Sequence, residues 1–299
     1  MSLTGVPILV PIVIVAACAL AIVGLALLVR AIEAEAFYKR FVGPAPPGTL
    51  GAIRMLTCAI ALIHTLWEDL PSTAALPGEL VSRMGVMTVF IDGPLAPIAI
   101  PLMRHPAVLQ LLQGLTALAL TFALVGLWTR VSLPTAAVCY LIFGGILRQY
   151  TSLFHTGLVP LYLLILLSFL PSGDGWSLDR IRQVAGGKAF PPFDRATAAY
   201  GWGRYLCWLL IALTYVAAGL SKLNKGGLAW CSATNMRSYI YQDSLNPMQF
   251  DFGVGLMLRH FPDWFVSGLA AVGMMSELLF GLVLFSVIAR HVLPVIMVG

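Results

Sequence analysis

Two residues of this chain stand where their chemistry is least expected. Lys222 closes an apolar run in the stretch YVAAGLSKLNKGGLAW, Tyr215 to Trp230, and Glu277 lies in the middle of another, WFVSGLAAVGMMSELLFGLVLFSVIA. An ionised carboxylate in a bilayer costs at least a few kcal/mol, so Glu277 must face the bundle interior or carry a proton. The partners expected for it are a histidine, an arginine or a buried hydroxyl. Lys222 has two readings. It can snorkel to headgroups along its aliphatic stem. In a desolvated apolar mouth it can instead shed its proton and act as a base, which an arginine could not, and a nearby cation such as Lys225 or Arg237 would favour that. His155, at the start of the run YTSLFHTGLV, reads as a hydrogen-bonded structural group or as a partner for such a base. Arg54 and Arg148 sit at the ends of apolar runs, where snorkelling is the ordinary role.

The elements that must position these residues dominate the chain. Of 299 residues 59% are hydrophobic and 10% charged, and the mean hydropathy is +0.90, which describes an integral membrane protein. The pI near 9.1 arises from 18 basic residues scattered through short loops, so nucleic acid is not an expected partner. The five cysteines form no CxxC pair and no metal spacing. Cys18, Cys58, Cys139 and Cys207 fall in apolar runs as small hydrophobes, and Cys231 lies in a loop as an unpaired thiol.

A hydrocarbon core of about 30 Å takes roughly 20 apolar residues per helix. Seven runs qualify as spans: Pro7 to Val29, about Leu50 to Trp67, Pro106 to Trp128, Val131 to Leu147, Leu153 to Leu170, Gly203 to Ser221 and Trp264 to Ala289. The last eight residues, VLPVIMVG, read as the first third of an eighth, so the sequence is read as truncated there. The expected fold is an all-α polytopic bundle, with residues 1–48 as an amino-terminal helix and linker and 49–299 as the main domain. Gly114, Gly126, Gly144 and Gly219 are expected at helix contacts. The segment Ser72 to Met103, with Pro77, Pro94, Pro97 and Pro101, should lie at the interface or re-enter rather than span. FGVGLMLRHF should form a surface helix. In SGDGWSLDRIRQ, Ser177 reads as an N-cap with Asp179 in the first turn of a short amphipathic helix, and Trp176 as an interfacial anchor. Eleven lysines and arginines against seven place the amino terminus outside and Lys222 at the extracytoplasmic end of the sixth span.

The segment ALTYVAAGLSKLNKGGLAW, with its Tyr215, Ala-Gly, Lys-Leu and Trp230, resembles the vitamin K-dependent gamma-carboxylases and the related bacterial horizontally transferred transmembrane (HTTM) proteins. LVGLWTRVSLPTAAV and TSLFHTGLVPLYLLILLSFLPSGDGWSLD resemble two further stretches of that family, in the same order. The resemblance covers about Gly51 to Ala289. It implies that Lys222 is the base that deprotonates a reduced quinone of the vitamin K type. Oxygen then generates a strong base that removes a glutamate γ-proton before carbon dioxide adds, with His155 assisting. It implies no metal, a bacterial inner-membrane location, and a peptide or protein substrate or a neighbouring redox or maturation protein as partner. The eukaryotic carboxylases continue into a large luminal domain, for which these 299 residues are not expected to hold a counterpart. The competing reading is a nonenzymatic maturation, immunity or interaction protein on the same fold. A transporter is a third, against which the sequence has no paired broken helices in two related halves.

Overall fold

The computed structural model describes residues 34–78, 87–150, 157–187, 192–244 and 257–298. The chain divides at Gly43. In the first unit the described part is a helical turn, Ala34–Phe37, that passes into a π-helical turn, Tyr38–Val42, with a Lys39–Glu35 ion pair of 2.7 Å on its exposed side. The expected span Pro7 to Val29 lies outside the described residues.

The second unit is all-helical among the described residues, apart from one isolated antiparallel bridge between Ala45 and Thr197. Its helices are α1 (Pro47–Trp67), α2 (Ala96–Met103), α3 (Pro106–Val125), α4 (Thr129–Leu147), α5 (Leu158–Ser168), α6 (Leu178–Ala185), α7 (Ala198–Gly226), α8 (Ala233–Ser244), α9 (Asp263–Leu279) and α10 (Val287–Val298). Among the described residues, five segments are long and apolar enough to cross a membrane: α1, α3, α4, α7 with its 3-10 extension to Cys231, and α9 with its extension to Leu284.

Local sequence explains the boundaries. Pro47 and Pro106 open α1 and α3 at their first helical positions, where a missing N–H is harmless. Gly126, at φ 70, closes α3 in the left-handed conformation that glycine adopts without penalty. Proline-rich 88–103 forms only a single turn, Thr88–Ile91, and the eight-residue α2, consistent with the expectation that it does not span. Of FGVGLMLRHF, the described part is a 3-10 turn, Leu258–His260.

α1 shows how a membrane helix sorts its faces. Leu50, Arg54, Cys58, Ala61 and Thr65 recur every three or four residues and are buried, while Leu56, Ile60, Ile63 and Leu66 point outward as a lipid-compatible stripe. That face packs on α3 and α5, and with α4 the four surround a core that includes Leu109, Leu120, Tyr140, Phe143 and Leu164. α7 leads from this group to a second one, in which it pairs with α9 and the 3-10 turn Phe280–Leu284, and α8 lies on α9.

Two expectations need correction. Hydropathy predicts a seventh span continuous to Ala289. Instead α9 gives way to the 3-10 turn after Leu279, the helix breaks at Phe285 and Ser286, and α10 starts at Val287. Apolarity is continuous across that break, so hydropathy could not mark it. Gly219 and Gly126 are at close contacts, against Leu278 and Ser177, but Gly114 faces open space.

Candidate functional site

The site is built where α7 ends. Gly219 lets α7 approach α9 until a Cβ there would touch the Leu278 backbone at 3.0 Å. Tyr215, one turn before Gly219, stacks at a tilt on Phe280 with ring centroids 4.7 Å apart. Lys222, three residues after Gly219, is on the same face. Its Nζ donates to Glu277 Oε1 at 2.6 Å.

Gly226 and Gly227 then reverse the chain. Gly227 sits at φ 53 and starts a 3-10 turn through Cys231, which folds Trp230 back under the helix end. The indole ring lies 4.4 Å from Lys222 Nζ, and Asn235 Nδ2 fixes the turn by donating to the Trp230 carbonyl at 2.8 Å. Lys222 therefore has a carboxylate on one side and an aromatic face on another. Its side chain is 29% exposed and that of Glu277 13%. Glu277 Oε2 is buried and accepts no hydrogen bond from any described residue. Beside the pair, Cys231 Sγ lies 3.9 Å from Met274 Sδ.

Four of the six residues singled out from sequence thus converge: Tyr215, Lys222, Trp230 and Glu277. His155 lies outside the described residues. The partner of Glu277 is a lysine, not the histidine, arginine or hydroxyl expected, because the close Gly219 contact sets the end of α7 level with it. Arg237, considered as a cation for Lys222, is committed elsewhere. Its guanidinium donates to Asp263 Oδ1 and to the Phe261 carbonyl, each at 2.7 Å, and pins α8 to the start of α9.

Arg54 is a different case. A snorkelling arginine would be exposed, but its side chain is wholly buried and donates to the carbonyls of Ser172 at 2.8 Å and Trp176 at 2.6 Å. It ties α1 to the SGDGW loop. Gly51 and Gly175 allow that loop to lie against α1 backbone to backbone, since a Cβ on Gly51 would collide with the Gly175 carbonyl. Ser177 caps α6 as expected, accepting from Arg180 N at 3.0 Å. Asp179 does more than open α6: its carboxylate takes the N–H groups of Trp128 and Thr129 at 2.8 and 2.7 Å, capping α4. Trp176 is exposed and adopts φ 49. A cleft of about 570 Å³ runs beside α6, lined by Trp128, Arg130, Asp174, Asp179 and Gln183 among others, and none of the five described candidates lines it.

Sequence reading missed one cluster. At the far end of α1, Tyr140 Oη and His64 Nδ1 are 3.0 Å apart, and His64 Nε2 is 3.7 Å from Glu68 Oε1. Gln113 Nε2 donates to the carbonyls of Thr65 and Glu68 at 2.8 and 2.7 Å. The Glu68 side chain is only 10% exposed, and burial pushes its carboxyl up to about 7. The signal available was a histidine and an acid four apart at the end of an apolar helix, which is common on surfaces and does not announce burial.

No protein-family model matches the chain, and no match is found among curated proteins or solved structures.

Proposed function

We propose that this helical membrane protein is a quinol-linked enzyme of the HTTM, carboxylase-like class, with the Lys222–Glu277 pair as its proton-handling element and a reduced quinone of the vitamin K type as its substrate. The observation that carries this is the pair itself. A lysine and a glutamate are held together, partly shielded, against Trp230 at the end of α7. A buried ion pair stabilises a fold less than apolar residues of the same size would, so its presence favours a functional purpose. The arrangement also fits the ligand class: an aromatic surface, a fixed cation and a buried carboxylate oxygen with lone pairs to offer a hydroxyl. Tyr215 supports the site from below through Phe280.

The experiment is extraction of the chain in mild detergent, followed by analysis for copurifying quinone and measurement of oxygen uptake on addition of a naphthohydroquinone. Uptake by the wild type, lost in the folded Lys222→Met/Glu277→Leu variant, is the expected result. A wild type with neither bound quinone nor uptake sinks the proposal.

One observation favours the second reading, a nonenzymatic maturation, immunity or interaction protein. Lys222 donates to Glu277 and lies as a cation over Trp230, which is also how a structural clasp between α7 and α9 would look. On that reading the apolar double variant keeps its biological role.

A further inference from the structure

We propose that the cleft beside α6 holds the headgroup of a bilayer phospholipid that carries both a phosphate and a primary ammonium, the phosphatidylethanolamine class. The proposal is independent of the hydroquinone reading, because Lys222, Glu277, Tyr215 and Trp230 do not line this cleft. Its volume of about 570 Å³ falls within the roughly 300–1,000 Å³ of sites that hold small molecules.

The position of the cleft selects a lipid. It is lined by the start of α4, the end of α5 and the loop that leads into α6, and α4 is one of the membrane-crossing segments. Asp179 latches α6 to the turn between α3 and α4 through the N–H groups of Trp128 and Thr129, so α6 is held at that end of both spans. On α6 itself Leu178, Ile181 and Val184 recur every third residue and are exposed, an apolar stripe that a helix in the headgroup layer sinks into the acyl chains. Trp128 and Val131, both exposed, line the cleft together with Leu133, Leu167 and Leu170. An interfacial indole beside apolar wall residues suits the glycerol region and the first carbons of the chains.

The charges of the cleft select the headgroup. Its ionisable lining residues are Arg130, Asp174 and Asp179. Asp179 is already saturated, by the N–H of Trp128 at 2.8 Å and by the N–H and hydroxyl of Thr129 at 2.7 and 2.9 Å. Asp174 accepts from the Tyr200 hydroxyl on Oδ2 at 2.7 Å, and its Oδ1 accepts no hydrogen bond from a described residue. Arg130 is exposed and has no hydrogen bond or ion pair with a described residue. One open guanidinium and one open carboxylate oxygen therefore line the same cleft. A guanidinium pairs with a phosphate through two parallel N–H bonds, and a primary ammonium has three N–H bonds of which one can go to Asp174 Oδ1. An anionic headgroup without an amine would bring a second negative charge to Asp174, and the quaternary ammonium of choline has no N–H to donate. Arg182 lines a smaller adjoining hollow of about 330 Å³ and not this cleft, which makes it the control.

The test uses the full chain, delipidated in detergent, with binding of dioleoyl phosphatidylethanolamine, phosphatidylcholine and phosphatidylglycerol read by native mass spectrometry. The ethanolamine lipid is expected to bind at least about 10-fold more tightly than either of the others, as one charge-assisted hydrogen bond would give. Arg130→Gln is expected to weaken the ethanolamine and choline lipids alike by about 10-fold, since both carry the phosphate. Asp174→Asn keeps a carbonyl oxygen for Tyr200 and is expected to weaken the ethanolamine lipid alone, closing its gap to choline. Arg182→Gln is expected to change neither. Equal affinity for the ethanolamine and choline lipids, or no binding of any of the three, overturns the proposal. Tightest binding of the glycerol lipid overturns it in favour of a basic patch for anionic lipid. Glycerophosphoethanolamine, which lacks acyl chains, binding as tightly as the whole lipid in calorimetry would overturn the bilayer as the source. The lipid comparison needs no variant, so a substitution that fails to fold does not blunt it.

Discussion

At the scale of single residues, polar groups inside the apolar bundle carry both its cost and its specificity. Arg54 is the clearest structural case. Arg54→Leu would strand the Ser172 and Trp176 carbonyls, and should cost about 2–4 kcal/mol, read as a lowered unfolding midpoint in detergent. The Lys222–Glu277 pair behaves differently because each partner compensates the other. Lys222→Met or Glu277→Leu alone should destabilise by about 3–5 kcal/mol, and the double substitution should recover most of that. Additive losses would show that the two do not interact. Glu68 supplies a pH dependence. Its carboxyl titrates near 4.5 when unfolded and at about 7 in the fold, so its favourable contribution is complete below about pH 4.5 and is lost as pH rises through about 7. Glu68→Gln should therefore be close to neutral at pH 4 and stabilising at pH 8, by up to about 3 kcal/mol, in paired thermal melts. A variant that stabilises equally at both pH values would remove Glu68 from the account.

At the scale of elements, what was legible in the sequence was what depends on neighbours along the chain. Apolar runs marked α1, α3, α4, α7 and α9 because hydropathy and length are local properties. The Ser177 cap was legible for the same reason. The break between α9 and α10 was not, since Phe285 and Ser286 interrupt a helix without interrupting its apolarity. The role of Arg54 was hidden too, because its partners lie 118 and 122 residues away. Of the candidate site, Lys222 and Glu277 were each visible as misplaced charges, but their pairing required the register that Gly219 and Leu278 set between two helices. Backbone approach of that kind is also the weak point of the α1 contact with the SGDGW loop. Gly51→Ala should push the Gly175 carbonyl away, cost about 2 kcal/mol and loosen α6. Gly114→Ala, facing open space, should not, and the pair can be compared by proteolysis of the 171–187 region.

At the scale of the whole molecule, α7 gives the second unit two opposite ends. Its first turn lies beside the SGDGW loop, where Tyr200 donates to Asp174 at 2.7 Å, and its last two turns carry Lys222 and Lys225. Single cysteines in place of Arg182 and Lys225, in a cysteine-free background, should react with an impermeant maleimide from opposite sides of the membrane. The charge bias in the sequence predicts that the Lys225 position is the one labelled in intact cells. Labelling of both from one side would contradict the path of α7.

α7 has 29 residues, and at the α-helical rise it is about 44 Å long, some 14 Å more than a typical hydrocarbon core. Such an excess is taken up by tilt or by projection from the membrane, and the share of each follows the thickness of the host bilayer. Because Lys222 sits in the last two turns of that helix and holds Glu277 of α9, the hydration of the pair is a function of lipid chain length. Short-chain lipids leave the pair in the headgroup layer, and long-chain lipids draw it toward the acyl chains. Reconstitution across a series of phosphatidylcholines of increasing chain length should therefore change proton exchange at the pair without any change in sequence, so the lipid composition of the membrane becomes an adjustable parameter of its chemistry.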